Sequence, residues 1–342
     1  MEYKYDLEDI TLVPAELSSI KSRSEVSALY SHGKLPLIAA PMDSVINSES
    51  AEIFKTHKIL TCSIRKEKLD LNQPQYSFIS ISLQQFQYIV ETENSLKNLC
   101  WYKQGLLIDI ANGHMQELYD LTIQFKKKYP EFSLMIGNVA NPKTYEKYCE
   151  ILSERDMIRL SIGSGSACTT GANTGIYYPM GSLIDECYQI SATKSNPPLI
   201  VADGGFRNFD DIIKALNIGA DYVMLGGIFA KSLEAAGPVY WKGLNVTSIK
   251  DVMYMNKYKL YRKYRGMSTK DVQRSIGKTI LKTSEGISYQ TPVEYTLEKW
   301  VDNFCAYLKS AMSYCDCRQL KDFVGKRNFI HISTNAIKRY KK

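Results

Sequence analysis

The sequence predicts a closed (β/α)8 barrel, and three observations predict it. Eight short apolar runs alternate with helical patterns along the first two-thirds of the chain. Six of those runs end in Gly, Asn, Asp or Cys clusters, which places turn chemistry and reactive groups on one rim. No Gly-x-Gly-x-x-Gly follows the first run, which removes support for an open nicotinamide-binding sheet.

The strand candidates are Leu35–Ala40, Lys58–Ile64, Ser77–Ser82, Gly105–Ala111, Ser133–Asn138, Met157–Ile162, Pro198–Asp203 and Asp221–Gly226. Runs this short and apolar suit strands covered on both faces. Helical patterns fall between them at Ser48–Thr56, Met115–Lys128, Pro142–Ser153, Leu183–Ala192 and Phe209–Asn217. The barrel takes up about residues 30–240 of a single domain, and a flap and C-terminal extension follow over about 241–342. The stretch Tyr264–Thr269 and Thr283–Gly286 is polar, Lys-rich and weakly periodic, as expected of a mobile flap over the rim. From Leu297 to Met312 the pattern turns helical, and Trp300, Phe304, Leu308 and Met312 form a core-facing stripe.

Composition narrows the class further. The chain has 342 residues, with 44% hydrophobic and 23% charged, which fits a globular core and argues against long disorder. Its polar N-terminus carries no visible secretory signal and no run is long enough to span a bilayer, so a cytoplasmic enzyme with reduced thiols is expected. The eight cysteines show no metal-ligand spacing; Cys315 and Cys317 are the only close pair. The net charge of +7 is dispersed, which favours a phosphate-bearing small molecule over nucleic acid or membrane as a partner. The basic run Ile337–Lys342 reads as a solvated tail.

The chemistry concentrates in Ser161–Thr170. Alternating Gly and Ser let the backbone turn tightly and aim N–H groups at an anion, and a single Cys with neighbouring hydroxyls follows the sixth strand. Ser166, Gly204, Gly205, Gly226 and Gly227 stand where this barrel places phosphate, after its last strands. Asp203 has no cation beside it in sequence; it suits either ribose hydroxyls or the cap of the next helix.

These motifs resemble the family of IMP dehydrogenase and GMP reductase over nearly the whole chain. The resemblance is carried by Tyr5–Ile10, Ile20–Val26, Pro41–Val45, Gly137–Val139, Gly163–Thr170, Asp203–Gly205, Met224–Gly227 and Gly266–Ser268. The short connection from Ile64 to Ser77 leaves no room for a CBS module. The flap lacks an Arg-Tyr pair, and Ser284-Glu285-Gly286 matches the reductase motif, so the chain is more similar to the reductase branch. That resemblance implies NADPH-dependent reductive deamination of GMP to IMP and ammonia through a Cys168 thioimidate, with Thr170 and Glu285 relaying the proton. It further implies that Ser166, Asp203, Gly204, Gly205, Gly226, Gly227, Gly266, Met267, Ser268 and Lys282 hold the nucleotide. Asp109, Ile110, Ala111, Ile162 and Gly163 would contact the cofactor, and Ser22 and Arg23 would reach the cofactor of a neighbour in a homotetramer. Backbone carbonyls of Gly163, Gly165 and Cys168 would hold potassium. The chain departs from the family at Ser164, Gly171, Tyr177, Pro41 and Lys282, at Ala306–Ser310, and through added residues over about Trp241–Tyr258. These departures leave three alternatives: a dehydrogenase of IMP without the CBS module, a reductase of a modified or deoxy guanine nucleotide, and a degenerate nucleotide-binding paralogue.

Overall fold

The computed structural model describes residues 3–92, 96, 104–246, 259–267, 269–275, 283 and 286–340. Eight parallel strands form the barrel: β2 (Leu37–Ala39), β3 (Leu60–Thr61), β4 (Phe78–Ile81), β5 (Gly105–Ile108), β6 (Leu134–Val139), β7 (Met157–Leu160), β8 (Leu199–Asp203) and β9 (Tyr222–Leu225). Each strand pairs with its sequence neighbours, and β2 joins β9. The last seam, β3 to β4, is closed by a parallel bridge at Cys62 and Phe78. Ser63 N–H donates to the Phe78 carbonyl at 2.9 Å, and Ser77 N–H to Thr61 at 2.9 Å. All eight expected strands are present, each inside or within one residue of its sequence bounds.

Alternation along the strands builds two cores. Ile38, Cys62, Phe78, Leu107, Met135, Met157, Val201, Tyr222 and Met224 fill the barrel interior. The opposite faces pack against the surrounding helices through residues such as Leu37, Ile79, Ile108, Ile136, Ile158 and Val223. Helix α1 (Ser48–Thr56) begins at Asn47, whose side chain accepts from Ser50 N–H while Ser50 Oγ accepts from Asn47 N–H. Helix α2 (Leu83–Glu91) is capped the same way by Ser82 and Gln85. Helix α3 (Gln116–Lys128) follows β5. Helix α4 (Pro142–Tyr148) is shorter than the Pro142–Ser153 pattern. Cys149 N–H is shared between the Tyr145 and Glu146 carbonyls, and the chain turns there so that Leu152 still reaches the core. Helices α5 (Thr170–Thr174), α6 (Met180–Ser191), α7 (Phe209–Ile218) and α8 (Gly227–Ala230) complete the ring.

Beyond the barrel, the expected flap is partly ordered sheet. β10 (Val239–Trp241), β11 (Leu244–Val246), β12 (Leu260–Arg265) and β13 (Ser288–Pro292) form a four-stranded antiparallel sheet in the order β11-β10-β12-β13. Leu260, Arg262 and Tyr264 are buried, alternating with half-buried Tyr261, Lys263 and Arg265. The period of two is masked in sequence because the central inward residue is charged. Arg262 satisfies its guanidinium on the carbonyls of Ala230 (2.6 Å), Ser232 (2.7 Å), Leu233 (3.2 Å) and Ala235 (2.8 Å), so it clamps the loop after α8 to β12. Helix Leu297–Tyr314 buries Trp300, Phe304, Leu308 and Met312 as expected. Ala306–Ser310 therefore lies within a helix. Strand β1 (Ile10–Leu12) pairs antiparallel with β14 (Phe329–His331), tying the two ends of the chain together. The C-terminal basic run, expected as a tail, is helical over Thr334–Tyr340. No helix among the described residues is long and apolar enough to cross a membrane.

One strand junction carries a testable charge. The Asp221 carboxylate accepts Ile200 N–H at 2.7 Å, setting the register of β9 against β8. Burial raises its pKa from 3.8 to about 6. Between those values the folded chain keeps a proton that the unfolded chain has released. This contribution to stability is complete below pH 3.8 and is gone once the pH has risen past about 6. Asp221→Asn should flatten that slope and raise stability at pH 7 by on the order of 2 kcal/mol. Urea unfolding at pH 4, 5, 6 and 7 checks it; an unchanged pH slope in the variant would show that Asp221 is not the responsible group.

Candidate active site

The C-terminal ends of the barrel strands open into a cleft of about 1190 Å³. Its size lies above the roughly 300–1,000 Å³ common for one small-molecule site. Ser166, Asp203, Gly204, Gly205, Gly226, Gly227, Gly266 and Met267 from the nucleotide set all line it. So do Asp109, Ile110, Ala111 and Gly163 from the cofactor set, and Cys168 and Thr170 from the catalytic set that the sequence predicts. Among the described residues, Ser22, Arg23 and Ile162 do not line it. Ser22 caps a short 3-10 turn, Arg23–Glu25, through its hydroxyl on Ser24 N–H. Ser268, Lys282 and Glu285 lie outside the described residues.

Cys168 is the only exposed cysteine among the described seven, all of which are free. Burial pushes the thiols of Cys149 and Cys317 up to about 11 and that of Cys62 higher still, which makes those three unreactive near neutral pH. Cys168 Sγ donates to Thr170 Oγ1 at 3.3 Å, and Thr170 opens helix α5. The loop that presents the thiol is held on both sides. Cys168 N–H donates to the Gly165 carbonyl at 2.8 Å, and Cys168 forms an antiparallel bridge with Gly286. Ile287 N–H donates to the Ala167 carbonyl at 3.0 Å, and Gly266 N–H to Ile287 at 3.1 Å. The segment around Gly286 is thus stitched to the thiol loop. Close approach explains the glycine at 266: a Cβ there would lie 2.7 Å from the Ala167 oxygen.

Where phosphate is expected, bare backbone meets hydroxyls. A Cβ on Gly226 would stand 2.7 Å from Tyr264 Oη, and one on Gly227 would stand 3.4 Å from Ser166 Oγ. Ser166 Oγ also shares a 2.9 Å hydrogen bond with Tyr289 Oη. Gly204 and Gly205 both have φ near +85° and bring their turn against Ser164 and Gly165.

The cleft floor removes one of the two sequence readings of Asp203, the helix cap. Arg159 rises from β7 between two carboxylates: Nη1 lies 2.9 Å from Asp109 Oδ1, and Nη2 lies 2.8 Å from Asp203 Oδ2. Asn138 Nδ2 adds a 2.9 Å bond to Asp203 Oδ2, and Arg65 donates to the Asp109 carbonyl at 2.7 Å. Burial opposes the charge of Arg159, but Asp203 and Asp109 outweigh it and raise its pKa further. Asp203 therefore has a cation in space that it lacks in sequence, and it does not cap α7. Asn208 takes that place, in a capping box with Asp211. The missed signal was the single charge inside the apolar run Met157-Ile158-Arg159-Leu160.

A model of the IMP dehydrogenase / GMP reductase domain matches residues 94–341. The chain belongs to the IMP dehydrogenase / GMP reductase family. Among curated relatives, it is 28% identical to GMP reductase 1 of Homo sapiens, over 97% of this chain and 96% of that one. It is 30% identical to GMP reductase of Buchnera aphidicola subsp. Schizaphis graminum, over 97% of this chain and 95% of that one. It is also 28% identical to GMP reductase of Onchocerca volvulus, over 99% and 94%. Membership in the IMP dehydrogenase / GMP reductase family agrees with the barrel, whose cleft gathers the family motifs from six strand ends.

Proposed function

We propose that this protein is a GMP reductase: an oxidoreductase that converts GMP, NADPH and two protons to IMP, ammonium and NADP+. The observation that carries the reading is the exposed Cys168 thiol on Thr170, in a cleft that Ser166, Gly205 and Gly227 also line. The similarity to GMP reductases over nearly the full length supports the same reading.

In this mechanism the Cys168 thiolate adds to C2 of the purine, forming the S–C bond. The C2–N bond then breaks as Thr170 and Glu285 deliver protons, ammonia leaves, and a thioimidate remains on Cys168. NADPH, when bound, supplies the hydride that fills C2 as the S–C bond breaks, which returns the thiolate. Ser166, Gly204, Gly205, Gly226, Gly227, Gly266, Met267, Ser268 and Lys282 would hold the nucleotide. Asp203 would offer its Oδ1 to ribose, because its Oδ2 already serves Arg159 and Asn138. Asp109, Ile110, Ala111, Ile162 and Gly163 would border the nicotinamide end. Ser22 and Arg23 stand exposed and away from this cleft, which fits a role toward a neighbour's cofactor in a homotetramer; Arg23 suits a 2′-phosphate. A monovalent cation would sit on the carbonyls of Gly163, Gly165 and Cys168. The Gly165 carbonyl accepts one N–H and has a second lone pair to give.

The test is absorbance at the reduced-cofactor band. GMP with NADPH should consume the band, and potassium should speed its loss. Formation of the band from IMP with NAD, and no loss with GMP, would assign the chain to the dehydrogenase reaction instead.

A further inference from the structure

The hydroxyl of Tyr289 has no part in the scheme above; Tyr289 does not itself line the cleft, but its hydroxyl bonds Ser166, which does. Tyr289 lies on β13 directly across from Tyr264 on β12, with ring centroids 5.3 Å apart. Its hydroxyl meets Ser166 Oγ at 2.9 Å, beside the space that Gly226 and Gly227 leave open. Two hydroxyls that share one hydrogen bond hold two protons between them and need only one for that bond. Ser166 spends the second on the Tyr264 hydroxyl, which in turn donates to Met42 Sδ at 3.4 Å, so the Tyr289 proton stands at the end of this chain and can turn to a stronger acceptor. An arriving anion offers both a charged acceptor, which forms hydrogen bonds roughly twice as strong as a neutral one.

We propose that Tyr289 is a phosphate-reading residue: with Ser166 it donates its hydroxyl to the 5′-phosphate of the bound nucleotide. The proposal rests on the nucleotide reading given above and adds the group that distinguishes nucleotide from nucleoside. It also explains why this hydroxyl sits on β13. Gly286, three residues before Tyr289, bridges Cys168, and Ile287 donates to the Ala167 carbonyl. A phosphate gripped by Tyr289 and Ser166 therefore holds both sides of the thiol loop at once. Phosphate and thiol are read by one continuous piece of backbone.

The experiment is calorimetric titration of the full chain with GMP and with guanosine, for wild type and Tyr289→Phe. Phenylalanine keeps the ring against Tyr264 and removes only the hydroxyl. GMP should bind the variant about tenfold more weakly or worse, while guanosine affinity stays the same. A GMP affinity within twofold of wild type overturns the proposal. So does an equal loss for both ligands, which would mean a general packing role. The reductase reading fails separately: if wild type turns over no GMP but the variant still loses only phosphate-dependent affinity, the assignment of Tyr289 stands and the reaction falls.

Discussion

Cys168→Ala should abolish turnover while leaving nucleotide binding intact. The expected loss in kcat is on the order of a thousandfold or more, because the proposed covalent step runs through this sulfur. Three features of the site predict that binding survives. Cys168 is exposed, so a smaller side chain leaves no core cavity. Its backbone, not its sulfur, makes the bonds to Gly165 and Gly286 that shape the loop. The proposed phosphate contacts are Ser166, Gly205 and Gly227, which line the cleft and which the substitution does not touch. Cofactor oxidation and calorimetric titration with GMP, run on the same preparation, check both halves. Turnover within tenfold of wild type would rule out attack by this sulfur, and lost affinity would show that the thiol also shapes the loop. Thr170→Val gives a finer reading on the same axis. It removes the hydroxyl 3.3 Å from the sulfur and keeps the side-chain shape, so a fall in kcat without a change in GMP affinity places that hydroxyl in proton transfer.

The barrel was legible because its strands are buried on both faces and so read as uninterrupted apolar runs. Leu37–Ala39 and Tyr222–Leu225 are fully buried along their length. Helix starts were legible where a cap announced them, as at Asn47 before Ser48. The Pro142–Ser153 pattern overshot because Ile151 and Leu152 continue its apolar rhythm, although the helix ends at Tyr148 and a turn carries them inward. The thiol loop and the glycine pairs were legible because their residue types are rare in combination and each marks a strand end. What could not be read was long-range pairing. Asp203 looked isolated because Arg159 is 44 residues away in sequence. Tyr289 drew no reading at all because its partner, Ser166, is 123 residues away. The sheet of β10 to β13 was hidden for a different reason: Arg262, fully buried on backbone carbonyls, breaks the hydrophobic alternation that would have revealed β12.

Arg159→Met should cost about 3–5 kcal/mol of stability, the range found when one partner of a buried ionic network is removed. The size follows from what remains behind. The Arg159 side chain is 8% exposed, and those of Asp109 and Asp203 are 17% and 15% exposed. Methionine would leave two carboxylates facing each other across the barrel mouth, without the cation and the three guanidinium bonds that now hold them. Lysine is not an adequate substitute, because a single ammonium cannot reproduce a fork that reaches both carboxylates in fixed directions. Most of the loss is the penalty of stranded charge, not the net worth of the network, so neutralising the partners should return it. The triple variant Arg159→Met, Asp109→Asn, Asp203→Asn is expected to recover at least half of the lost stability in urea unfolding. It should not recover catalysis, since both acids line the cleft where ribose and nicotinamide would lie. A single variant within about 1 kcal/mol of wild type would mean that water or the Arg65 guanidinium, which already donates to the Asp109 carbonyl, takes over the charge. Recovery of stability without activity would separate the two tasks of this triad: the arginine holds the barrel mouth together, and the carboxylates it holds are kept in place for substrate.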